Sequence, residues 1–430
     1  MILSVVRVLR RVVAIVMIMM APVVAGPGHA AASDPSRQIL VMLRLPAEHY
    51  SPGSSYGESY GGGDARGARR HLAQDLARAN GLRLVDDWPM PMIGLDCYVM
   101  EVPAGRTVED AVTALSRDPG IAWAEPMQTY RTQGASVVVG NDPLYRVQPD
   151  AREWQLDALH SMATGRNIRI AVIDSAIERQ HPDLVGQVML SEDFVIGRPA
   201  QAELHGTGVA GIIAALAGNG KGIVGVAPHA RLMGLRACWQ QSPSATLCDS
   251  LSLAKALYFA IEHKADIINM SLSGPPDPLL AQLIDLAQSR GITVVGAVDP
   301  SQSDGGFPAS HAGVIAVVDE GGPPGTGAYG APGHDIPTTQ PGGNWFFVNG
   351  SSYAAAHVSG LFALLRERSP GAQTATALIT VQGSDTIDPC ASLLRLAKSL
   401  AKSGAKSGAK SGACGAPRSL AQNLVQQARP

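Results

Sequence analysis

Residues 168–174 read IRIAVID, a short run that is apolar apart from Arg169 and ends on an aspartate. A run of this length with no polar alternation reads as a strand buried on both faces. Further runs of the same kind follow: RLMGLRAC (231–238), ADIINMSL (265–272), ITVVGAV (292–298) and GVIAVV (313–318). Between them lie helical stretches, HGTGVAGIIAALAG (205–218), SLSLAKALYFAIEHK (250–264), PLLAQLIDLAQSRG (278–291) and SSYAAAHVSGLFALLRER (351–368). Buried strands alternating with helices predict an α/β fold with a doubly wound parallel sheet, whose ligands bind at the carboxyl ends of the strands.

Upstream the pattern differs. QILVMLRL (38–45), RLVDDW (83–88), DCYVMEVP (96–103) and IAWAEP (121–126) read as strands, and ARRHLAQDLARANG (68–81) and TVEDAVTALSRDPG (107–120) as helices. The order βαββαβ predicts a small α+β domain over 36–131. Residues 131–145 lack periodicity, so 132–141 is expected to be a linker, followed by the main domain over 142–388. The tail, 389–430, carries the repeat AKSGAKSGAKSGA and reads as low-complexity linker.

Arg7, Arg10 and Arg11 precede the apolar run VVAIVMIMMAPVVAG, and small residues Gly28 and Ala30 follow. That order predicts a cleaved signal peptide over 1–30, with secretion or periplasmic location and no stable membrane span after cleavage. With 430 residues, 46% of them hydrophobic, and a net charge of −2, the chain can build a large core but offers no basic field for nucleic acid. Export permits disulfides. Cys238–Cys248 and Cys390–Cys414 each close a short loop and are expected to pair, leaving Cys97 free.

Three polar residues stand where such a sheet places a site. Asp174 ends the first strand, His205 opens one helix and Ser352 opens another. Singly these are turn, loop and cap residues. Jointly they supply what acyl transfer needs: a hydroxyl, a base to take its proton, and a carboxylate to orient the base.

The stretches carrying these residues resemble the subtilisin-like serine peptidases, the subtilases. AVIDSAIERQHPDL (171–184), HGTGVAGIIAA (205–215), INMSLSGP (268–275), YGAPG (329–333) and NGSSYAAAHVSG (349–360) follow the family's motifs in the family's order. The resemblance spans roughly 142–368, and residues 38–131 look like the family's propeptide, a chaperone and inhibitor. It implies an endopeptidase made as a zymogen, monomeric, with peptide or protein substrates. Asp174 would orient the base, His205 would be base and then acid, and Ser352 the nucleophile. Ser271, Leu272, Ser273 and Gly274 would offer an open edge to which an extended substrate adds as a strand. No cofactor is implied beyond calcium, which many relatives bind; Asp183 and Glu178 could contribute to such a site. His181 and His357 read as structural.

Ala176, Ser351 and Ala356 depart from the family's pattern by size alone. Asp299 departs in kind, because the family's asparagine at this oxyanion-hole position donates a hydrogen bond and an ionised carboxylate cannot. Asp299 could stay protonated, or Gln302 could donate instead. Otherwise the chain is a weak or inactive relative that grips extended peptides. A lipase or esterase is excluded by the order Asp, His, Ser and by the lack of a G-x-S-x-G turn.

Overall fold

The computed structural model describes residues 34–44, 62–132, 135–138, 144–243, 245–320, 327–370 and 377–402. The signal-peptide region, the repeat tail and Cys414 lie outside the described residues.

Four strands and two helices form the N-terminal domain: β1 (Gln38–Arg44), α1 (Gly62–Ala79), β2 (Arg83–Met90), β3 (Leu95–Glu101), α2 (Val108–Leu115) and β4 (Ile121–Pro126). They follow the expected βαββαβ order and pair antiparallel in the order β2-β3-β1-β4. Thr107 caps α2 through a hydrogen bond from Asp110 N–H. Both faces of this sheet are buried, as β1's unbroken apolar run requires. Ile39, Val41, Tyr98 and Met100 pack under the two helices. Leu40, Met42, Cys97 and Val99 pack against the second domain.

That second domain is built on a seven-stranded parallel sheet. Its strands are β7 (Arg169–Asp174), β8 (Val188–Asp193), β9 (Arg231–Arg236), β12 (Ile267–Met270), β14 (Thr293–Ala297), β15 (Ile315–Asp319) and β16 (Tyr329–Ala331), in the order β16-β15-β14-β12-β7-β9-β8. Alternate residues of β7 face opposite layers. Ile170 and Val172 join the core around α3 (Leu204–Ala214) and α6 (Ser351–Arg368). Ala171 and Ile173 join the core around α4 (Ser250–Glu262) and α5 (Pro278–Ser289). This is the doubly wound α/β sheet that the apolar runs predict. The chain lays β8 and β9 to one side of β7 and then crosses to place β12 on the other, so the strand order reverses at β7/β12 and opens a crevice there.

Two findings depart from the sequence reading. The stretch expected to be a featureless linker, 132–141, takes up the end of one strand, β5 (Thr129–Thr132), and carries another, β6 (Ala135–Val138). β5 lies between β11 (Ala245–Asp249) and β13 (Leu272–Ser273), with β10 (Cys238–Ser242) beyond β11. β6 pairs antiparallel with β18 (Asn344–Asn349), whose other neighbour is β17 (Ile336–Gln340). Every partner of these strands comes from far along the chain, so local periodicity carries no trace of them. The second departure is α7 (Pro389–Lys402), which runs into the expected low-complexity tail. Leu393 and Leu396 bury themselves in the core, which explains why this part is ordered.

Cys238 and Cys248 form a disulfide across the β10–β11 hairpin, and Cys97 is free and buried. Cys390 is disulfide-bonded as well, and its expected partner Cys414 is outside the described residues. The Cys238–Cys248 link closes a loop ten residues apart in sequence. Its removal in a Cys238→Ser/Cys248→Ser double variant is expected to cost about 2–3 kcal/mol. Denaturant unfolding of the Ser352→Ala chain with and without the double substitution measures this, and no change in midpoint would contradict it.

Candidate active site

The crevice at β7/β12 gathers the three predicted residues from three elements. Asp174 is the last residue of β7 and is 1% exposed. Its Oδ1 accepts from Ser175 N–H at 2.6 Å. His205 lies in the first turn of α3, and its Nδ1 stands 2.8 Å from Oδ1 and 3.0 Å from Oδ2 of Asp174. A carboxylate only accepts, so Nδ1 carries the proton and Nε2 is left with a lone pair. Nε2 is buried and takes no hydrogen bond.

The first turn of α3 is held against the strand by contacts that permit no side chain. A Cβ on Gly206 would fall 2.1 Å from the Ser175 carbonyl oxygen, so only glycine lets the helix start there. From the far side Thr338 and Thr339 donate to the carbonyls of Gly208 and Thr207, at 2.5 and 2.6 Å. The Tyr353 ring lies 5.4 Å from that of His205 and completes its wall. Burial, and then the Asp174 charge, push the Tyr353 phenol well above its usual range, so it stays neutral.

Ser352 is the second residue of α6, fully buried, at the positive end of the helix dipole. Gly350, at φ 132°, turns the chain into the helix. Ser352 Oγ donates to the Ser271 carbonyl at 3.0 Å, and Ser271 Oγ donates back to the Ser352 carbonyl at 2.8 Å. The aspartate and histidine are thus joined, while the serine hydroxyl is engaged on the neighbouring strand rather than on Nε2.

The edge formed by Ser271, Leu272, Ser273 and Gly274 is not open in this chain. Leu272 pairs with Thr132 and Ser273 with Arg131, antiparallel. On its other side β5 pairs with Leu247, Cys248 and Asp249. The Tyr130 ring packs against Gly274, where a Cβ would fall 2.2 Å from it, and its hydroxyl donates to the Pro275 carbonyl at 3.1 Å. Gly274 is fixed in turn by two backbone hydrogen bonds with Phe307, at 2.9 and 3.0 Å.

Asp299 follows β14 and is partly exposed. Its Oδ1 accepts from Ser301 N–H at 2.9 Å and Ser301 Oγ at 2.6 Å, so the carboxylate closes a local turn. Gln302 sits at the next bend of this loop. A Cβ on Gly306 would touch both its Cγ, at 3.4 Å, and Ser273 Oγ, which places Gln302 beside β13.

The remaining marked residues are structural. His181 bridges the Asn344 carbonyl and Asp183 N–H and packs edge-on to Trp345. His357 is fully buried, with Nδ1 on the Tyr353 carbonyl and Nε2 3.3 Å from Asp150. Asp183, considered as a metal ligand, accepts from Asn219 Nδ2, Ile223 N–H and Trp345 Nε1. Glu178 accepts from the backbone of Gly342 and Gly343. Among the described residues no group of three or more His, Cys, Asp or Glu converges on a point.

Comparison with known proteins agrees with this fold. A family profile described as the subtilase family matches residues 165–394. The chain is 34% identical over 282 residues to Subtilisin E of Bacillus subtilis (strain 168), covering 61% of this chain and 69% of that protein. It is 35% identical over 273 residues to the Thermophilic serine proteinase of Bacillus sp. (strain AK1), covering 60% and 66%. Among solved structures it resembles fervidolysin from Fervidobacterium pennivorans, described as a keratinolytic enzyme related to subtilisin. The TM-score is 0.63 at 25% identity, over 83% of this chain and 60% of that one.

The tight seat of Gly206 generates a prediction. Gly206→Ala in the Ser352→Ala background must move α3 away from Ser175, which is expected to cost about 1–3 kcal/mol. Because His205 rides on the same turn, its Nδ1–H proton resonance should shift or vanish as the bond to Asp174 lengthens. An unchanged unfolding midpoint and resonance would contradict the packing described.

Proposed function

The chain belongs to the subtilase family of serine endopeptidases, and on that premise we propose that it is an exported zymogen that cuts its own N-terminal domain free. The observation that carries this reading is β5. A strand of the N-terminal domain fills the slot between β11 and β13, bonded on both edges as an extended peptide would be. Beyond it, β6 pairs with β18, which leads directly into Ser352. We therefore assign the cut between Thr132 and Ala135, inside the expected processing region 132–141.

In this reading Asp174 holds His205 in the tautomer whose Nε2 is a base. Ser352 Oγ leaves the Ser271 carbonyl, gives its proton to Nε2 and attacks the peptide carbonyl. His205 then returns the proton to the leaving amine, and water releases the acyl group by the reverse path. The buried Asp174 stabilises the imidazolium formed in between. These roles are those of the triad in subtilisins generally; their positions, Asp174, His205 and Ser352, are this chain's own. Substrates are extended peptides that replace β5 once the N-terminal domain has left, with Ser271 to Gly274 as one wall. The oxyanion is met by the positive end of α6, with the Gln302 amide as side-chain donor, since the Asp299 carboxyl is turned onto Ser301. Export rests on the basic and apolar N-terminal sequence. Among the described residues no helix is long and apolar enough to cross a membrane.

Two outcomes test this. Fluorophosphonate should label the processed protein at Ser352 and leave Ser352→Ala unlabelled. Expressed alone in a foreign host, Ser352→Ala should remain uncut, whereas N-terminal sequencing of the active chain should begin between residues 133 and 135. Normal processing of Ser352→Ala would refute self-cleavage. Gln302→Ala should lower kcat by about 10²–10³ with little change in KM, the scale of losing one oxyanion donor in a subtilisin. A variant as active as the parent would remove Gln302 from that role.

A further inference from the structure

The helix that carries His205 does not cap itself. Glu203 is the N-cap of α3, yet its side chain makes no bond to the helix it precedes. A capping side chain ordinarily accepts from the second or third helical N–H. The Glu203 carboxylate faces away from the helix instead. It is 5% exposed, and its Oε2 accepts from Ala176 N–H at 3.0 Å while Oε1 accepts from Gln240 N–H at 3.0 Å. Glu203 N–H donates in return to the Ala176 carbonyl at 2.9 Å. Gln240 supplies the helix with an acceptor from another strand: its Oε1 takes Leu204 N–H at 3.0 Å.

Ala176 stands two residues after Asp174, and Glu203 stands two residues before His205. The Asp174–His205 pair is thus joined a second time, two residues out on each side, by reciprocal hydrogen bonds. The buried carboxylate also has a cation beside it. Arg236, 4% exposed, brings Nε to 3.6 Å from Glu203 Oε2, and its Nη1 donates to Asp193 Oδ2 at 2.9 Å and to the Arg198 carbonyl at 3.1 Å. Arg236 is the residue of β9 in register with Asp174.

Gln240 brings a third element into the cluster. It lies on β10, the outer strand of the hairpin whose inner strand, β11, bonds to β5. Gln240 pairs with Thr246, and the next residue, Leu247, pairs with Arg131 in the slot. One carboxylate therefore ties together the strand end that holds Asp174, the helix start that holds His205, and the hairpin that walls the slot.

We propose that Glu203 and Gln240 are positioning residues for the His205 base, hanging the start of α3 on the slot hairpin so that ring and wall keep one fixed offset. They act through His205 and take no part in bond making. The Gly206 contact limits how closely α3 can approach Ser175; Glu203 and Gln240 keep it from withdrawing. The kinetic side of this role rests on the endopeptidase reading above. The geometric side, holding Nδ1 against Asp174, does not.

The two residues can be probed separately. In Glu203→Gln one carboxylate oxygen becomes an amide nitrogen, which only donates, so either Ala176 N–H or Gln240 N–H meets a donor. In Gln240→Ala the backbone arm to Glu203 stays, but Leu204 N–H loses its acceptor.

The His205 Nδ1–H proton resonance of the full-length Ser352→Ala chain reads the geometric side without requiring activity. Glu203→Gln should shift or broaden it strongly, and Gln240→Ala should do so to a smaller extent. Arg231→Ala, at the far end of β9, removes a bond to the Gly186 carbonyl and should leave the resonance in place. In the Ser352 chain, Glu203→Gln should lower kcat for a short peptide on the order of 10²-fold with little change in KM, the scale of a group displaced by about 1 Å from its reacting position. Gln240 is only partly buried, so Gln240→Ala decides the matter if Glu203→Gln does not fold. A resonance unmoved in the folded variants, or moved equally by Arg231→Ala, would overturn the proposal. So would a raised KM at unchanged kcat, which would make the two residues part of the slot wall and not holders of the base. A parent Ser352 chain without peptidase activity would count against the endopeptidase reading, and the resonance alone would then decide the positioning role.

Discussion

β11 and β13 face each other across a gap one strand wide, and each presents a row of backbone donors and acceptors to it. Unfilled backbone edges away from water are costly, so the gap demands an extended occupant. In this chain the occupant is β5, bonded to Leu247–Asp249 on one side and Leu272–Ser273 on the other. The requirement accounts for several features together. It explains why a stretch with no periodicity of its own is a strand. It explains why Gly274 has no side chain, since Tyr130 takes that space. It also brings β5 close to Ser352, because β13 begins one residue after Ser271, whose carbonyl accepts from Ser352 Oγ.

The site itself is arranged by the reversal of strand order at β7/β12. One side of the reversal supplies Asp174 from a strand end and the other supplies Ser271, whose carbonyl holds Ser352 Oγ. Two helices then bring His205 and Ser352 in by their first turns. Only glycine at 206 lets α3 start against Ser175, so the Asp174–His205 distance is set by backbone contact and not by side-chain adjustment. That arrangement keeps the imidazole oriented before any substrate arrives, and such preorganisation is what a general base requires.

The sheet, the two domains and the three site residues were legible because each is written locally. Unbroken apolar runs specify strands buried on both faces, and Asp174, His205 and Ser352 sit at the ends and starts of the elements those runs define. β5 and β6 were not legible, since their pairing partners come from other parts of the chain. Gln128 and Ser250 likewise meet only through docking, and nothing near either in sequence marks it as an interface residue. Asp299 is a middle case. Its type shows that the family's donor is missing, but only the structure shows the carboxylate turned onto Ser301. Gln302 was visible as a residue able to donate, and its place beside Ser273 depends on the bend at Gly305 and Gly306.

A slot that accepts any extended backbone cannot by itself distinguish inhibitor from substrate. β5 and a peptide substrate would form the same ladder with β11 and β13, so the difference in residence must come from contacts outside the slot. The N-terminal domain has one such contact in the apolar face of Leu40, Met42, Cys97 and Val99, which packs against the main domain; a fully buried aliphatic side chain of this kind contributes on the order of 1.5–3 kcal/mol. A short peptide in the slot would lack that contact and be held by the ladder alone. On the zymogen reading, inhibition and turnover would share one set of hydrogen bonds, with the balance between them set outside the slot.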